Sequence, residues 1–329
     1  MIAYVLSRLW QAALVMLVVI GLAFVLFTYL GDPVVGILGA DSSEAARAAI
    51  RSELGLDRPM PVQFLDYLGR VLSGDFGVSY RLGRPVDVIL AERVPATVEL
   101  ALAGMALALL LGIPLGILTA LRRRSAGAQA LLGVSLLGIS VPSFFMGVLL
   151  IWLFSVTFDL LPSFGRGETV DLWGWSTGLL TLSGWRSLIL PAITIAVFQI
   201  AMMMRLVRAE MLEVLRKDFI RFARARGLSD RAVHLRHALR NTLVPVVTIA
   251  GLQLGSVIGF AVITESVFQW PGLGLLFLQS VAAADVPVMS AYLVLIAAVF
   301  VTINLVVDLL YLWIDPRLRA DGGLEAARR

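Results

Sequence analysis

The chain of 329 residues contains no cysteine, two histidines and one lysine. Without cysteine it has no disulfide framework, no zinc–thiolate site and no thiol nucleophile. The lysine, Lys217, lies between Arg216 and Asp218, so the phosphate-binding pattern G-x-x-x-x-G-K-[ST] is absent. We therefore expect no enzymatic activity from this chain, no ATP hydrolysis of the phosphate-loop type and no cofactor bound to it.

The two histidines lie together in an arginine-rich stretch. His234 and His237 are three residues apart on a predicted helix, and Asp230 lies one turn before them. This spacing could place three metal ligands on one helix face. The surrounding arginines disfavour a cation there, so simple surface placement is the preferred interpretation, and no metal site is expected.

Charged residues are also scarce. They make up 15% of the chain, against 59% hydrophobic residues, and the mean hydropathy is +0.90. A soluble domain of this composition would expose large apolar patches to water. The net charge of +4 could suggest nucleic acid. The positive charges instead follow the loops between apolar runs, as in membrane proteins, so a nucleic-acid partner is not expected.

Six apolar runs without charge predict the fold class, an all-α membrane protein with six transmembrane helices. A helix needs about 20 residues to cross a hydrocarbon layer of about 30 Å. In the third run, Pro142 predicts a kink, and the short fourth run is expected to extend beyond Arg205. The runs are Leu9–Leu30, Leu100–Leu121, Leu131–Phe158, Leu188–Met204, Thr242–Thr264 and Val286–Val307. A cleaved signal peptide is the alternative for the first run, but its length and its end, Thr28–Leu30, disfavour cleavage.

The distribution of arginine predicts the orientation. Three arginines follow the second run, nine Lys or Arg lie between Val207 and Arg240, and four follow Ile314, whereas the loop Gln269–Asp285 has none. Short basic loops face the cytoplasm. We therefore expect a multi-pass protein of the bacterial plasma (inner) membrane with both termini cytoplasmic. The loop Gly31–Ala96 carries seven arginines but is long enough to be translocated despite them.

This first loop is predicted to be folded rather than extended. Asp41 followed by Glu44 resembles a helix cap, and the run Ala45–Leu54 ends at Gly55. A second amphipathic run, Val62–Leu72, is followed by a turn at residues 73–77. Two interpretations remain open: a cap that packs on the spans, and a contact surface for an external partner.

Polar groups inside the spans are few. Gln253 and Ser256 share one face of the fifth run, so they predict either a water-filled path or hydrogen bonds to a neighbouring helix. Glu265, at the end of that run, either joins the path or anchors the turn that follows. Glycines four residues apart, at 251, 255 and 259, indicate close approach of another helix. No internal repeat and no ionisable group at mid-span supports the alternative function, an ion-gradient-driven secondary transporter.

The most informative stretch is the basic segment, residues 207–241, set between two apolar runs. Its first part is amphipathic and places six apolar side chains on one predicted helix face: Met211, Leu212, Leu215, Phe219, Phe222 and Ala223. Gly227 is expected to adopt a left-handed conformation that ends this helix. Ser229 is expected to cap the next helix, and Thr242 to cap the fifth span. The alternatives are an interfacial helix on lipid and a docking surface for a protein.

Four stretches carry a family resemblance. ARARGLSDRAVHLRHALRNTLVP, which begins in the basic segment and ends at Pro245, resembles the cytoplasmic coupling loop of binding-protein-dependent ABC importer permeases, specifically the B-type subunit of dipeptide and oligopeptide systems. Residues 54–80, 94–104 (VPATVELALAG) and 264–274 (TESVFQWPGLG) agree with it. The general importer loop has Glu-Ala-Ala where this chain has Arg221, Phe222 and Ala223, so the role of the glutamate does not carry over to Arg221.

The resemblance implies partners and sites. It implies a second homologous permease, two ATPase subunits that hold ATP and magnesium, an external solute-binding protein and membrane lipid. It divides the chain into residues 1–95 (first helix and external loop), 96–316 (five-helix core) and 317–329 (cytoplasmic tail). The ATPase-contacting residues would be Phe219, Phe222, Ala223, Arg224, Ala225, Gly227 and Leu228. The residues expected in the path are Gln253, Ser256 and Glu265, and this expectation rests on the polar face of the fifth run. Dipeptides, oligopeptides, glutathione, nickel complexes and sugars all remain open as substrates.

Overall fold

The computed structural model describes residues 2–29, 34, 43–53 and 56–314. In the described part, helices joined by loops predominate, and one short antiparallel hairpin pairs β1 (Val170–Leu172) with β2 (Trp175–Thr177). The helices are α1 (Ile2–Tyr29), α2 (Glu44–Glu53), α3 (Met60–Leu72), α4 (Val86–Leu121), α5 (Ala126–Ser140), α6 (Ser143–Thr157), α7 (Leu182–Val214), α8 (Asp218–Ala225), α9 (Asp230–Val267), α10 (Leu273–Ala282) and α11 (Val286–Ile314). The predicted all-α membrane class is confirmed.

Five helices in the described ranges are long and apolar enough to cross a membrane, namely α1, α4, α7, α9 and α11. The third apolar run is divided into α5 and α6, which meet at 104°. The number of spans is therefore five, or six if this bent pair counts as one, where the sequence predicts six. The spans define two ends of the molecule. The basic end carries residues 122–124 and the basic segment, and the loop end carries residues 56–85, 158–181 and 268–285.

The break at Pro142 is sharper than the predicted kink. Val141 has φ −82° and ψ 125°, and Pro142 has φ −58° and ψ 139°, so two consecutive residues are extended. Proline disfavours the helical conformation in the residue before it and has no amide hydrogen to donate. The expectation of a single kinked helix over Leu131–Phe158 is therefore wrong, and α6 leaves the bend in a new direction.

Helices α4 and α7 form the centre of the bundle, and their close contact depends on glycine. A Cβ atom on Gly112 would lie 2.8 Å from the Cβ of Met203, and one on Gly116 would lie 2.6 Å from the Cβ of Val207. Both helices extend well beyond the apolar runs, as expected for the run that ends near Arg205. Pro95 lies inside α4, so the division expected at residue 95 does not coincide with a break in the backbone.

The predicted helix-contact face of α9 is confirmed. A Cβ atom on Gly251 would collide with Val307, and one on Gly255 would lie 2.9 Å from the ring of Phe300, both on α11. Helix α11 packs in turn on α1, where Arg8 Nε and Asp308 Oδ2 are 3.1 Å apart. Asp308 thus forms an ion pair between two helices near the basic end.

The first loop packs on the spans, as one of its two interpretations predicts. Tyr67 and Val71 of α3 are buried against Ile20 and Phe24 of α1. The caps expected at Asp41 and Gly55, and the tail 317–329, lie outside the described residues. Farther along the loop, the buried carboxylate of Asp285 accepts hydrogen bonds from the hydroxyl of Ser79 and the amide of Tyr80, the latter at 3.1 Å. These bonds hold the loop against the start of α11.

Candidate functional site

At the basic end, a short helix lies docked across the ends of three spans. Helix α8 has Asp218 in its first turn and Arg224 in its last turn, as the helix dipole favours. Its buried side chains are Ile220 and Ala223. They share one apolar cluster with Ala120 of α4, Met211 and Val214 of α7, and Val233 and Ala238 of α9. A movement of α8 would therefore act on α4, α7 and α9 together.

The opposite face of α8 is exposed. Phe219 is 43% and Phe222 66% exposed, and the guanidinium of Arg226 lies 5.9 Å from the ring centre of Phe222. The other expected contact residues Arg224, Ala225, Gly227 and Leu228 are exposed as well. Ala223 is the exception, because it points into the cluster and is not available to a partner. Its expected contact role is corrected to one in packing.

The predicted single apolar face from Met211 to Ala223 is wrong. Helix α7 ends at Val214, and Lys217, with φ −67° and ψ 150°, is extended before α8 begins. The change of direction turns Ile220 inward and leaves the two phenylalanines outside. Gly227 has φ +77°, which confirms the predicted left-handed stop.

Helix α9 joins this segment to the interior of the bundle without a break. The Ser229 hydroxyl accepts a hydrogen bond from the amide of Ala232, which confirms the predicted cap. Residues Val233–Ala238 form a π-helical turn, and the helix continues to Val267. Thr242 is therefore not a cap: its hydroxyl donates to the carbonyl of Ala238 within the helix, at 3.1 Å.

The π-helical turn contains both histidines, and no group of three or more His, Asp or Glu suited to a metal ion occurs among the described residues.

A cavity of about 580 Å³ lies between the α5–α6 bend, α7 and α9. Gln253 and Ser256 both line it, on the face that the sequence predicts. The hydrogen-bonding side chains in its wall are Ser143, Thr194, Gln199, Gln253, Ser256 and Thr264, and the larger apolar ones are Met146, Phe198, Met202 and Phe260. The wall contains no Asp, Glu, Lys, Arg or His from the described part of the chain.

Gln253 joins two helices as well as lining the cavity. Its Nε2 atom donates to Gln199 Oε1 at 3.5 Å and lies 2.6 Å from Met202 Sδ, both on α7. The two interpretations of this polar face, a path and an interhelical contact, therefore hold together. Because α7 and α9 run in opposite directions, Met202 and Gln253 lie at the end of the cavity nearer the basic end. Thr194 and Thr264 lie nearer the loop end.

Glu265 is not part of the cavity. It is 0% exposed, and its carboxylate accepts hydrogen bonds from the Thr97 hydroxyl at 2.6 Å and the Leu275 amide at 2.9 Å. Gly272 packs directly on the carboxylate. Of the two roles that the sequence leaves open for Glu265, the structure supports the anchor of the turn at residues 269–272, and the expected place in the path is corrected.

A buried ion pair, which the sequence pattern does not predict, lies nearby. Arg166 Nη2 and Glu99 Oε2 are 2.6 Å apart, with both side chains at most 6% exposed. Arg166 also donates to the Ser176 carbonyl at 2.7 Å, and its guanidinium lies 5.9 Å from the Trp270 ring centre. Glu99 stands just before an apolar run and Arg166 in a loop 67 residues later, so spacing does not connect them. The one indication of this ion pair in the sequence is the acidic residue Glu99, which lies in residues 94–104, a stretch that resembles the importer family.

Ser176 lies in the pentapeptide Gly174–Gly178, which fits the G-x-S-x-G pattern of serine hydrolases. The structure places Ser176 on β2, where its hydroxyl accepts a hydrogen bond from Arg166 Nη1 at 3.2 Å. Both histidines lie at the opposite, basic end. Ser176 therefore has no histidine base and serves as a structural partner of Arg166.

Long apolar helices, an exposed amphipathic helix at one end and a polar-lined cavity between the spans define the membrane component of a transport system. Residues 112–320 match the family described as the binding-protein-dependent transport system inner membrane component, and residues 1–101 match its N-terminal region. The chain belongs to this family, and the resemblance noted in the sequence is confirmed. It is a permease subunit of an inner-membrane importer.

Two relatives and one solved structure illustrate the match. The dipeptide transport system permease protein DppB of Alkalihalophilus pseudofirmus is 36% identical over 335 residues, 97% of this chain and 100% of the relative. The glutathione transport system permease protein GsiC of Salmonella choleraesuis is 39% identical over 321 residues, 97% of this chain and 99% of the relative. The inward-facing MetNI methionine ABC transporter, at 19% identity, has a TM-score of 0.54 over 69% of this chain and 96% of that chain, which supports the fold.

Proposed function

We propose that this chain forms half of the path of an ATP-driven importer of short peptides. It pairs with a second homologous permease, two ATPase subunits bind at the basic end, and a solute-binding protein delivers substrate at the loop end. Both chain termini then lie in the cytoplasm, as the arginine distribution favours. No cofactor is assigned to this chain, and ATP and magnesium belong to the ATPase partners.

The observation that carries this proposal is the continuity between α8 and the cavity. Ile220 and Ala223 attach α8 to the ends of α4, α7 and α9, while Phe219 and Phe222 remain free for a partner. Helix α9 then runs without interruption to Gln253 and Ser256 in the cavity wall. A rigid-body movement of ATPase subunits bound to the two phenylalanines would reach the cavity through one helix.

Contacts at the loop end support the delivery of substrate there by an external solute-binding protein. Helix α3 is packed on α1, and Asp285 holds Ser79 and Tyr80 in place. Residues 56–85 of the first loop therefore present a preformed surface, which favours binding of an external protein because little ordering entropy is lost.

The names of the two relatives narrow the range of substrates to propose for this chain. DppB is named for dipeptides and GsiC for glutathione, and both substrates contain peptide-type amide bonds. The cavity wall combines neutral hydrogen-bonding groups with apolar side chains, which suits a small amide substrate with variable side chains. Short peptides are therefore the proposed substrates.

The experiment is to co-express the chain with the second permease, the ATPases and the binding protein of the same transport system, and to reconstitute them in liposomes. The double variant Phe219→Ala/Phe222→Ala should lose ATPase co-purification and uptake of a labelled dipeptide. Phe158→Ala, which removes a similarly exposed ring at the loop end, is the matched control and should retain ATPase binding. Full ATPase association in the double variant would overturn the coupling role.

A further inference from the structure

The end of the cavity nearer the basic end is formed by a pair of amide side chains whose hydrogen-bonding capacity is only partly used. Gln199 is 94% buried, with 6% of its surface exposed, and it receives its single hydrogen bond from Gln253. In the described part of the chain, Gln199 Nε2 and Gln253 Oε1 have no protein hydrogen-bond partner, and neither atom is fully enclosed by protein. One donor and one acceptor therefore remain available at the cavity.

This pair is complementary to a peptide group. A primary amide carries a carbonyl acceptor and an NH₂ donor. When one amide donates to the other, the donor of one and the acceptor of the other stay free. The contact of Gln253 Nε2 with Met202 Sδ agrees with this orientation, because a thioether sulfur accepts and would not pair with the amide oxygen. A peptide bond offers the matching N–H and C=O.

The remaining wall provides no contact that would select by charge. The lining consists of hydroxyl, amide, thioether and hydrocarbon groups. Met146, Met202 and Phe260 can pack on side chains of different shape, because thioether and aromatic surfaces adapt to varied apolar groups. Two ion pairs involve residues of the spans, Arg166–Glu99 and Arg8–Asp308. None of these four residues lies in the cavity wall.

We infer that Gln199 and Gln253 hydrogen-bond the backbone amide of a passing peptide and that this neutral site makes transport indifferent to the charge of the peptide side chains. The inference rests on the proposed peptide function and adds the residues that recognise the substrate. Each peptide hydrogen bond then replaces one that water made, so the site guides the substrate without holding it tightly.

The first test uses the reconstituted complex with saturating binding protein and compares uptake of a neutral dipeptide with its analogue methylated at the amide nitrogen. Wild type should prefer the unmethylated dipeptide, and Gln253→Leu should reduce its uptake about tenfold, equal to about 1.4 kcal/mol, and remove the preference. Gln11→Leu, the same substitution on α1 outside the cavity wall, should keep both uptake and preference. An unchanged preference in Gln253→Leu would overturn the inference.

The second test introduces charge. Wild type should transport Lys-Ala and Glu-Ala at similar rates once receptor affinities are taken into account. Gln253→Glu should raise the Lys-Ala to Glu-Ala ratio, and Gln253→Lys should lower it, each by about tenfold. If either variant fails to assemble with its partners, Ser256→Asp and Ser256→Lys, in the same wall, replace them. Ratios within about twofold of wild type in variants that still transport would refute the neutral site.

The two proposals fail in different ways. If the assembled wild-type complex takes up none of the dipeptides while its ATPases are active, the proposed peptide function is wrong. If wild type takes them up but the Gln253 variants change neither preference nor charge ratio, only the amide site is wrong.

Discussion

The two ends of the molecule hold their peripheral segments by different means. At the loop end, buried polar groups fix the chain: Arg166 pairs with Glu99, Glu265 accepts from Thr97, and Asp285 binds Ser79. At the basic end, α8 is held by hydrocarbon contacts around Ile220. Directional polar contacts define one geometry, whereas an apolar contact allows a helix to shift while it remains attached. The polar contacts at the loop end therefore specify one arrangement, whereas the apolar contacts of α8 are compatible with a shift of this helix.

The largest expected effect tests the buried ion pair at the loop end. Removing one partner of the buried pair, as in Arg166→Met, leaves Glu99 charged and unpaired and should lower the free energy of unfolding by about 3–5 kcal/mol. The double variant Glu99→Leu/Arg166→Met should recover most of this loss. Denaturant unfolding of the purified chain in detergent measures both. A single variant as stable as wild type would show that the pair does not hold the loop end.

The next effect separates the two faces of α8. Ile220→Ala should cost about 2–5 kcal/mol because it leaves a cavity in the cluster that joins three spans. Phe222→Ala, on the exposed face, should change stability by less than about 0.5 kcal/mol. The same unfolding assay, combined with ATPase co-purification, separates the two. If Phe222→Ala unfolds the protein while Ile220→Ala does not, the assignment of the faces is reversed.

A smaller effect concerns the turn after α8. Gly227 has φ +77° and no atom near the position of a Cβ, so Gly227→Val adds backbone strain without a collision. This strain should cost about 1–2 kcal/mol and displace α8. Gly227→Asn is the matched control, because asparagine tolerates the left-handed region better. Equal ATPase binding and stability in the valine and asparagine variants would contradict a role for this conformation.

The smallest effect on the protein is expected from cysteine substitutions in the first loop. Arg51, Arg70 and Arg84 are exposed, so replacing each with cysteine should leave the fold intact. The chain has no other cysteine, and an impermeant thiol reagent should label these sites from outside intact spheroplasts. Arg123→Cys, an exposed position at the basic end outside the ATPase-contacting residues, should be labelled only after permeabilisation. Labelling of the loop sites solely from the cytoplasm would invert the proposed orientation.

Much of the fold follows from local pattern. The apolar runs predict six spans, and five of them are single helices of spanning length; Ser229 predicts a helix start, and Gly227 predicts a helix end. The prediction fails where two effects compete. At Pro142 the apolar run is continuous, but backbone geometry divides it. At Thr242 a good capping residue stays inside a helix, because the preceding π-helical turn keeps the backbone helical.

The candidate site was predicted in part. Gln253 and Ser256 lie in the cavity wall because their three-residue spacing places them on one face of α9. Their partner Gln199 was visible as a polar residue in an apolar run, but its pairing with Gln253 depends on how α7 crosses α9. The sequence predicts that Ala223 contacts an ATPase subunit and that Glu265 lies in the path. Both are buried, because burial depends on neighbours that are distant in the sequence.

The sequence by itself determined the class of protein, the five unbroken spans, the basic segment and the family, since composition, periodicity and capping act over a few neighbouring residues. The tertiary structure alone decided which charges pair, which face of α8 is exposed and which amides meet at the cavity. Glu99 and Arg166 are 67 residues apart, and Gln199 and Gln253 are 54 apart. Such contacts arise only when helices pack, because packing brings side chains together regardless of their separation along the chain.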